Sequence, residues 1–403
     1  MAQSLYAVGL MTGTSLDGID AALVKLSGKG LATKCELLYF ISQPLERDLK
    51  ARIHQECHNE SSTVAGICSL NMELGQLYAD TVSALLTAVS KLKSQGLETV
   101  KDFNGQLDFI ASHGQTIYHL PQKVALAEGL KPSTLQIGDP SLLAYHHQTD
   151  VYFNFRMMDI AAGGDGAPLV PLTELILYRD FEKNRLLQNI GGIGNVTVMP
   201  KNADLDDVWA FDTGPGNMMI NDAMTVLYQQ SYDESGNIAR SGSLIAALFK
   251  RLKNHAYIEE KPPKSTGREL FGSQLTSSLL HDFQFEKPED LIHTLTRFTA
   301  WSIAESYRRF ILPALSIDEV IIGGGGAYNL ALLDYLQAEL PGILILTNED
   351  LGISSDAKEA MAFALLGYQT KMQQIGNVPR ATGAREAVVI GQLCPNPFPI
   401  VKN

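Results

Sequence analysis

The chain is short of positive charge. Its 403 residues carry 32 Lys and Arg against 44 Asp and Glu, a net charge of −12. That balance argues against nucleic acid or an anionic membrane surface as a partner, since both require a basic face. It leaves room for a nucleotide held by backbone amides and a metal ion. Cysteine is scarce too: Cys35, Cys57, Cys68 and Cys394 form no C-x-x-C pair. Neither a zinc site nor a disulfide framework is indicated, and reduced thiols in a cytoplasmic setting are expected. No apolar run is long enough to span a bilayer. The first apolar run has no basic flank and meets Asp17 and Asp20 early, so no signal peptide is expected. A P-loop is missing because no glycine stretch ends in Lys-Ser/Thr, and no G-x-G-x-x-G occurs. There is no low-complexity tract and no short tandem repeat. What remains is ordinary globular composition, 45% hydrophobic and 19% charged, with length for two to three domains.

The informative stretch is Gly9 to Val24, GLMTGTSLDGIDAALV. Two β-type runs flank a small polar segment, the pattern of a hairpin. Gly13 and Gly18 permit the positive φ that such turns use, and Thr12, Thr14 and Ser15 bring hydroxyls to the tip. Amides converging at such a turn make an anion-binding concavity. Asp17 and Asp20 stand beside it.

Further along, Glu36 to Ile41 reads as a third strand, and apolar residues from Val64 to Leu92 recur at helical spacing behind Ser61, Ser62 and Thr63. LDFIAS (107–112) is a buried strand delivering His113, Gly114, Gln115 and Thr116 to its C-terminal end, where α/β sheets bind ligands. Residues 121–136 read as a surface excursion, and 149–155 as a strand followed by Arg156 and Asp159. AAGGDGAP (161–168) reads as a loop or hinge. Strand–glycine turn–strand returns at Gln188, with Gly191 and Gly192, so two related halves are expected. A strand ends at Asp212, helices are expected near 217–229, 290–312 and 356–372, and Glu319 to Ile322 runs into Gly323–Gly326. Val388 to Ile390 reads as a last strand.

Among the carboxylates near these glycines (Asp17, Asp20, Asp139, Asp165 and Asp212), Asp212 is best placed to act as a base, because it directly follows a buried strand. His113 and His119 lack a third ligand at metal spacing and read as hydrogen-bonding groups. Arg156 offers a guanidinium for an anionic substrate group, with a surface ion pair as the plainer alternative.

GLMTGTSLDGIDAAL, NIGGIGNVT and IIGGGGAYN resemble the phosphate and adenosine motifs of the sugar kinase, Hsp70 and actin superfamily. With SHGQTIYH, FRMMDIAAGGDGAPLVP, FDTGPGN, KSTGRELF and DAKEAMAFALL, the chain is similar along nearly its whole length to the anhydro-N-acetylmuramic acid kinases. Two positions depart from the superfamily pattern: Met11 and Asn189 stand where aspartates are usual. The resemblance implies an α/β, two-domain actin-like ATPase fold with ribonuclease H-like halves and a cleft between them. The domains are expected at 1–150 with 371–403, and at 151–370.

It also implies conversion of 1,6-anhydro-N-acetylmuramic acid, water and ATP to N-acetylmuramic acid 6-phosphate, a step of peptidoglycan recycling, with Mg²⁺ and as a homodimer. ATP contacts are expected from Gly13, Thr14, Ser15, Leu16, Asp17, Gly18, Ile19 and Asp20, from Gly191, Gly192 and Asn195, and from Gly324, Gly325 and Asn329. Asp17 and Asp20 are the expected metal ligands, and His113, Gln115, Thr116, Arg156 and Asp159 the sugar contacts. Asp212 is the expected base, with Glu359 its rival. The alternatives are another actin-fold kinase acting on a free hydroxyl, or an ATP-switched binding protein.

Overall fold

The computed structural model describes residues 4–13 and 16–398. The chain forms two compact units, Met1–Leu177 with Asp356–Asn403, and Tyr178–Ser355. The first contains strands β1 (Leu5–Met11), β2 (Gly18–Ser27), β3 (Lys34–Pro44), β4 (Phe109–Ser112), β5 (Gln115–Leu120), β6 (Ser133–Ile137) and β7 (Val151–Phe153). The second contains β8 (Arg185–Ile190), β9 (Ile193–Met199), β10 (Trp209–Pro215), β11 (Glu319–Gly323) and β12 (Leu344–Thr347). The chain then returns to the first unit with the helix Lys358–Lys371 and β13 (Gln392–Cys394).

The two main sheets share one plan. In the first the order is β13-β7-β4-β1-β2-β3, and in the second β10-β9-β8-β11-β12. In each, three antiparallel strands are followed by two parallel strands added beyond the first, and in the first sheet β13 closes the edge antiparallel to β7. These are the ribonuclease H-like halves of an α/β actin-like ATPase fold.

In the first unit, β1 is apolar on both faces because both are covered. Val8 and Leu10 enter a core with Leu74, Tyr78, Val82 and Leu85 of the helix Val64–Ser94. Thr63 caps that helix by accepting the Gly66 N–H, a contact of about 1 kcal/mol. Lys91 and Lys93 in its last turn complement the helix dipole. On the opposite face the helix Lys358–Lys371 lies almost backbone to backbone on β1. A Cβ added at Gly9 would overlap the Ala360 carbonyl, and one at Gly367 would sit 2.6 Å from the Ala111 Cβ. Ala360, Ala364 and Gly367 therefore belong to this interface by size as well as by hydrophobicity.

That packing corrects the expected domain limits at 150/151 and 370/371. Lys358–Lys371 packs on β1, and β7 pairs in parallel with β4 through Ile110 and Val151, so both belong to the first unit. The AAGGDGAP loop is no hinge between the units either. It lies inside the first, tied down by the Asp165 N–H to the Thr382 carbonyl at 2.8 Å. Two smaller expectations also change. Residues 121–136 hold a short helix, Gln122–Ala127, and then β6, which pairs with β5. The last strand is β13 rather than Val388 to Ile390, where the buried Ile390 offers its carbonyl to the Thr370 hydroxyl at 2.6 Å.

In the second unit the helix Pro288–Phe310 begins on proline, with Glu289 and Asp290 in its first turn and Arg308 and Arg309 in its last. Its buried hydroxyls reach the end of β10. Thr299 donates to the Gly216 carbonyl at 3.0 Å, and Ser306 to the Thr213 carbonyl at 3.1 Å. The segment that follows Asp212 is thus fixed from below.

Candidate active site

In the first unit a cavity of about 260 Å³ is lined by Met11, Thr12, Gly13, His113, Thr116, Arg156 and Glu359. The β1–β2 register explains its floor, since Met11 stands directly opposite Asp20 across the hairpin. Thr12 donates to the buried Tyr78 hydroxyl at 3.1 Å, which anchors the turn to the long helix. Among the described residues of the turn, Leu16 is the left-handed one, at φ 58°, and not Gly18. Gly18 starts β2 and is small because a Cβ would come within 2.8 Å of the Gln43 carbonyl. Leu16 and Ile19 belong to the core, and the Leu16 N–H donates to the Gly13 carbonyl at 3.2 Å. Neither side chain is available to a nucleotide. The assigned Thr14 and Ser15 lie outside the described residues.

Two arginine N–H groups converge on one histidine nitrogen. Arg156 Nε and Nη2 lie 3.1 and 3.0 Å from His113 Nε2, while Nη1 donates to the Gly166 carbonyl at 2.9 Å. His113 Nε2 is therefore the acceptor, which assigns the ring proton to Nδ1. Burial, followed by the Arg156 charge, pushes the His113 pKa down to about 3, so the ring is a neutral brace. Arg156 is held in place with its charge facing the cavity. Thr116 also lines the cavity, its hydroxyl accepting from Gln136 at 3.2 Å. Gln115 is buried and donates to the Thr116 carbonyl at 3.0 Å, so it supports the strand end from below.

Asp159 is corrected as a sugar contact. It is fully buried, and its carboxylate accepts from Gly166 N–H at 2.8 Å, Asn377 at 2.6 Å and Thr382 at 2.7 Å. It shapes the loop that presents the Gly166 carbonyl to Arg156.

Asp20, Asp17 and Glu359 make this end of the unit acidic. Burial raises the Asp20 pKa, opposed by a hydrogen bond from Ser42, with Asp356 and Asp17 adding repulsion. Glu359 opens the helix Lys358–Lys371. Its side chain is open to the cavity, yet enough protein surrounds the carboxyl for lost hydration to raise its pKa, with Asp20 adding to the rise and Lys358 and Arg156 opposing it. Among the described residues no three His, Cys, Asp or Glu side chains gather into a protein-only metal cage. Asp17 is exposed and Asp20 half-buried. Magnesium bound between one or two carboxylates and substrate phosphates does not require such a cage.

In the second unit, cross-strand register aligns Asn189, Asn195 and Asp212 on one face of the sheet. Asn189 is the partner of Asn195, and Asn195 of Asp212. A β-bulge follows Asp212, taking Thr213 out of the ladder and into the core. The Asp212 carboxylate accepts the Thr266 N–H on Oδ2 at 2.8 Å. No hydrogen bond to Oδ1 is present among the described residues. Burial raises the Asp212 pKa, and the Thr266 N–H and the Lys264 charge oppose the rise.

The β8–β9 turn is braced by the chain after β10: the Gly216 N–H donates to the Gly192 carbonyl at 2.9 Å and the Asn217 N–H to the Gly191 carbonyl at 2.8 Å. Above it, Gly324 adopts φ +75°, and a Cβ there would lie 2.6 Å from Asn189 Oδ1. Asn189, at the usual aspartate position, thus packs against the second glycine turn. Gly325 has room, its nearest neighbour being Asn217 Nδ2 at 3.6 Å. It borders a cavity of about 460 Å³ together with Asn217, Tyr232, Asp233, Tyr328 and Asn329. Asn329 caps the helix Leu330–Glu339 through its side chain, at 3.0 Å from the Leu332 N–H. Tyr232 and Asp233 were not anticipated, because nothing in their sequence surroundings marks them; Tyr328 stands within IIGGGGAYN but is not among the contacts expected from it. Lys264 and Thr266 were also missed as groups around Asp212, although KSTGRELF was a recognisable motif.

A family model described as anhydro-N-acetylmuramic acid kinase matches residues 5–396. Proteins of that name from Clostridioides difficile (strain 630) and Bacillus cereus (strain AH820) are 46% and 49% identical to this chain. The first alignment covers 98% of this chain and 99% of the relative, and the second 96% and 99%. The chain belongs to the anhydro-N-acetylmuramic acid kinase family.

Proposed function

We propose that this chain uses ATP and water to convert 1,6-anhydro-N-acetylmuramic acid to N-acetylmuramic acid 6-phosphate and ADP. The observation that carries the mechanism is Asp212: a half-buried carboxylate on β10 just before its bulge, with Oδ2 held by the Thr266 N–H and, among the described residues, no donor to Oδ1. Oδ1 takes a proton from water as the water oxygen attacks the anomeric carbon. The bond from that carbon to O6 breaks with inversion, as in an inverting glycosidase. The electron pair on O6 attacks the γ-phosphorus, and the β–γ bridge bond breaks to release ADP.

Arg156, braced by His113, binds the substrate's carboxylate. Thr116 bonds a sugar oxygen, and Glu359 orients sugar or water. Gly191, Gly192 and Asn195 hold phosphate, and Gly324, Gly325 and Asn329 shape the space for the nucleoside. Gly13 and the β1–β2 turn receive phosphate oxygens. Asp20, with Asp17, would hold Mg²⁺, which neutralises phosphate charge when bound. The test is incubation with ATP and either the anhydro-sugar or the open sugar. ADP formed with the anhydro-sugar, together with a 6-phosphate product, supports the reading. ADP formed with the open sugar alone contradicts it.

A further inference from the structure

Residues 257–266 wrap around Asp212. The Asp212 N–H donates to the Lys264 carbonyl at 3.2 Å, the Thr266 N–H donates to the Asp212 carboxylate at 2.8 Å, and the Tyr257 hydroxyl donates to the Asp212 carbonyl at 2.8 Å. The Lys264 side chain is buried inside this clasp. Its Nζ lies 4.3 Å from the centre of the Tyr257 ring and 5.1 Å from that of Phe310, and donates to the Tyr257 carbonyl at 3.3 Å. Among the described residues no carboxylate lies within ion-pair distance of it. A lysine stem could have snorkelled to water, yet this one ends between two aromatic faces.

We propose that Lys264 is a positioning residue for Asp212: its carbonyl holds the Asp212 backbone in place, and its buried ammonium keeps the Asp212 carboxylate in the charged form that removes a proton from water. This rests on Asp212 being the base. Removing water from around a carboxylate favours its protonated form, and a protonated Asp212 accepts nothing. A cation placed on an aromatic shelf supplies opposing potential without closing an ion pair, so Oδ1 stays open to water. The ammonium is itself stabilised by the ring faces. Burial brings the Lys264 pKa down to about 8, with Glu260 and Asp212 holding it up and Arg309 pushing it down, so it remains charged at neutral pH. Tyr257 faces the same space, but its hydroxyl proton is held firmly, burial and the Asp212 and Glu260 charges raising its pKa well above the usual tyrosine value.

Three measurements on the full chain test this. The first follows the Asp212 carboxyl carbon by ¹³C NMR titration, assigned by its loss in Asp212→Asn. Its midpoint should rise by about one pH unit in Lys264→Met, which keeps the stem, and stay near the wild-type value in Lys264→Arg. The second is the pH profile of kcat/KM with the anhydro-sugar, whose acid limb should shift upward in Lys264→Met. Activity then falls more at pH 6 than at pH 8. A lysine that only filled space would lower activity equally at both. The third leaves Lys264 intact and decides the matter if Lys264→Met does not fold. In Asp212→Asn the midpoint of ¹³Cε-labelled Lys264 should drop below its wild-type value, because coupled groups shift each other. Unchanged midpoints in the titrations overturn the proposal. Absence of turnover in the wild type would instead contradict the proposed function, while the titrations still decide the Lys264–Asp212 link.

Discussion

Asn195 and Asp212 are direct partners across the β9–β10 ladder, so the amide of the second glycine hairpin and the carboxylate of the next strand share one face of the sheet. Side chains opposite each other in an antiparallel pair lie about 5 Å apart at Cβ. The turn proposed to hold phosphate and the carboxylate proposed to accept the proton are thereby set at fixed spacing by backbone register alone. Asp212→Asn keeps the shape and the bond from Thr266 but removes the basicity. Turnover of the anhydro-sugar should fall roughly 10²- to 10⁴-fold, with both ligands still bound. Near-normal turnover there, with Glu359→Gln inactive, would move the base role to Glu359.

The glycines of the second turn separate by what surrounds them. Gly325→Val places its side chain in the 460 Å³ cavity. Stability should change by less than about 1 kcal/mol, while KM for ATP rises at least about tenfold. Gly324→Val combines a strained φ with collision at Asn189 and should cost about 3 kcal/mol or more. Chemical denaturation and ATP titration of both variants check the contrast. Equal effects from the two would remove the assignment of the cavity to nucleotide.

Asp159 gives a prediction opposite to its sequence reading. Asp159→Ala strands the Gly166 N–H and leaves Asn377 and Thr382 with only their longer bonds, to the Glu386 carbonyl at 3.3 Å and the Val378 carbonyl at 3.5 Å. A stability loss of about 3 kcal/mol is expected, about 1–3 kcal/mol for the stranded group and less for each weakened one. Unchanged melting with a raised sugar KM would restore Asp159 as a substrate contact.

The His113 brace predicts a pH dependence of stability. Its pKa falls from 6.5 in the unfolded chain to about 3 in the folded one. Between those values the unfolded state binds more protons, so the contribution of a neutral His113 is complete above about pH 6.5 and is lost as pH falls towards 3. The slope is about 1.4 kcal/mol per pH unit within that window. His113→Gln should flatten the dependence between pH 6 and pH 4.5, measured by urea unfolding. An unaltered slope would show that His113 is not a neutral buried group.

Much of this was readable in the sequence because it depends on local pattern. The hairpin at Gly9, the helix Val64–Ser94 and the strand carrying Asp212 follow from periodicity and turn residues, although that strand does not end at Asp212 but runs on through a bulge to Pro215. The domain limits were not readable, because Ala360 and Gly367 look like ordinary helix residues until β1 and β4 are placed beneath them. Asp159 misled for a related reason: a polar residue beside a glycine loop looks the same whether it faces a ligand or the interior. Lys264 was hidden because Phe310 and Asp212 are distant from it in sequence and its link to Asp212 runs through the backbone.

The central claim is that water opens the anhydro ring in the same event that frees O6 for phosphorylation. The most direct measurement is the reaction with ATP and 1,6-anhydro-N-acetylmuramic acid in ¹⁸O-labelled water, followed at early times by mass spectrometry and by ³¹P and ¹³C NMR. The account predicts one ¹⁸O at the anomeric carbon of the product, in the configuration inverted from the anhydro-sugar, and none in the phosphoryl group. Label in the phosphoryl group, or a phosphorylated sugar with the 1,6-anhydro bridge intact, would contradict it.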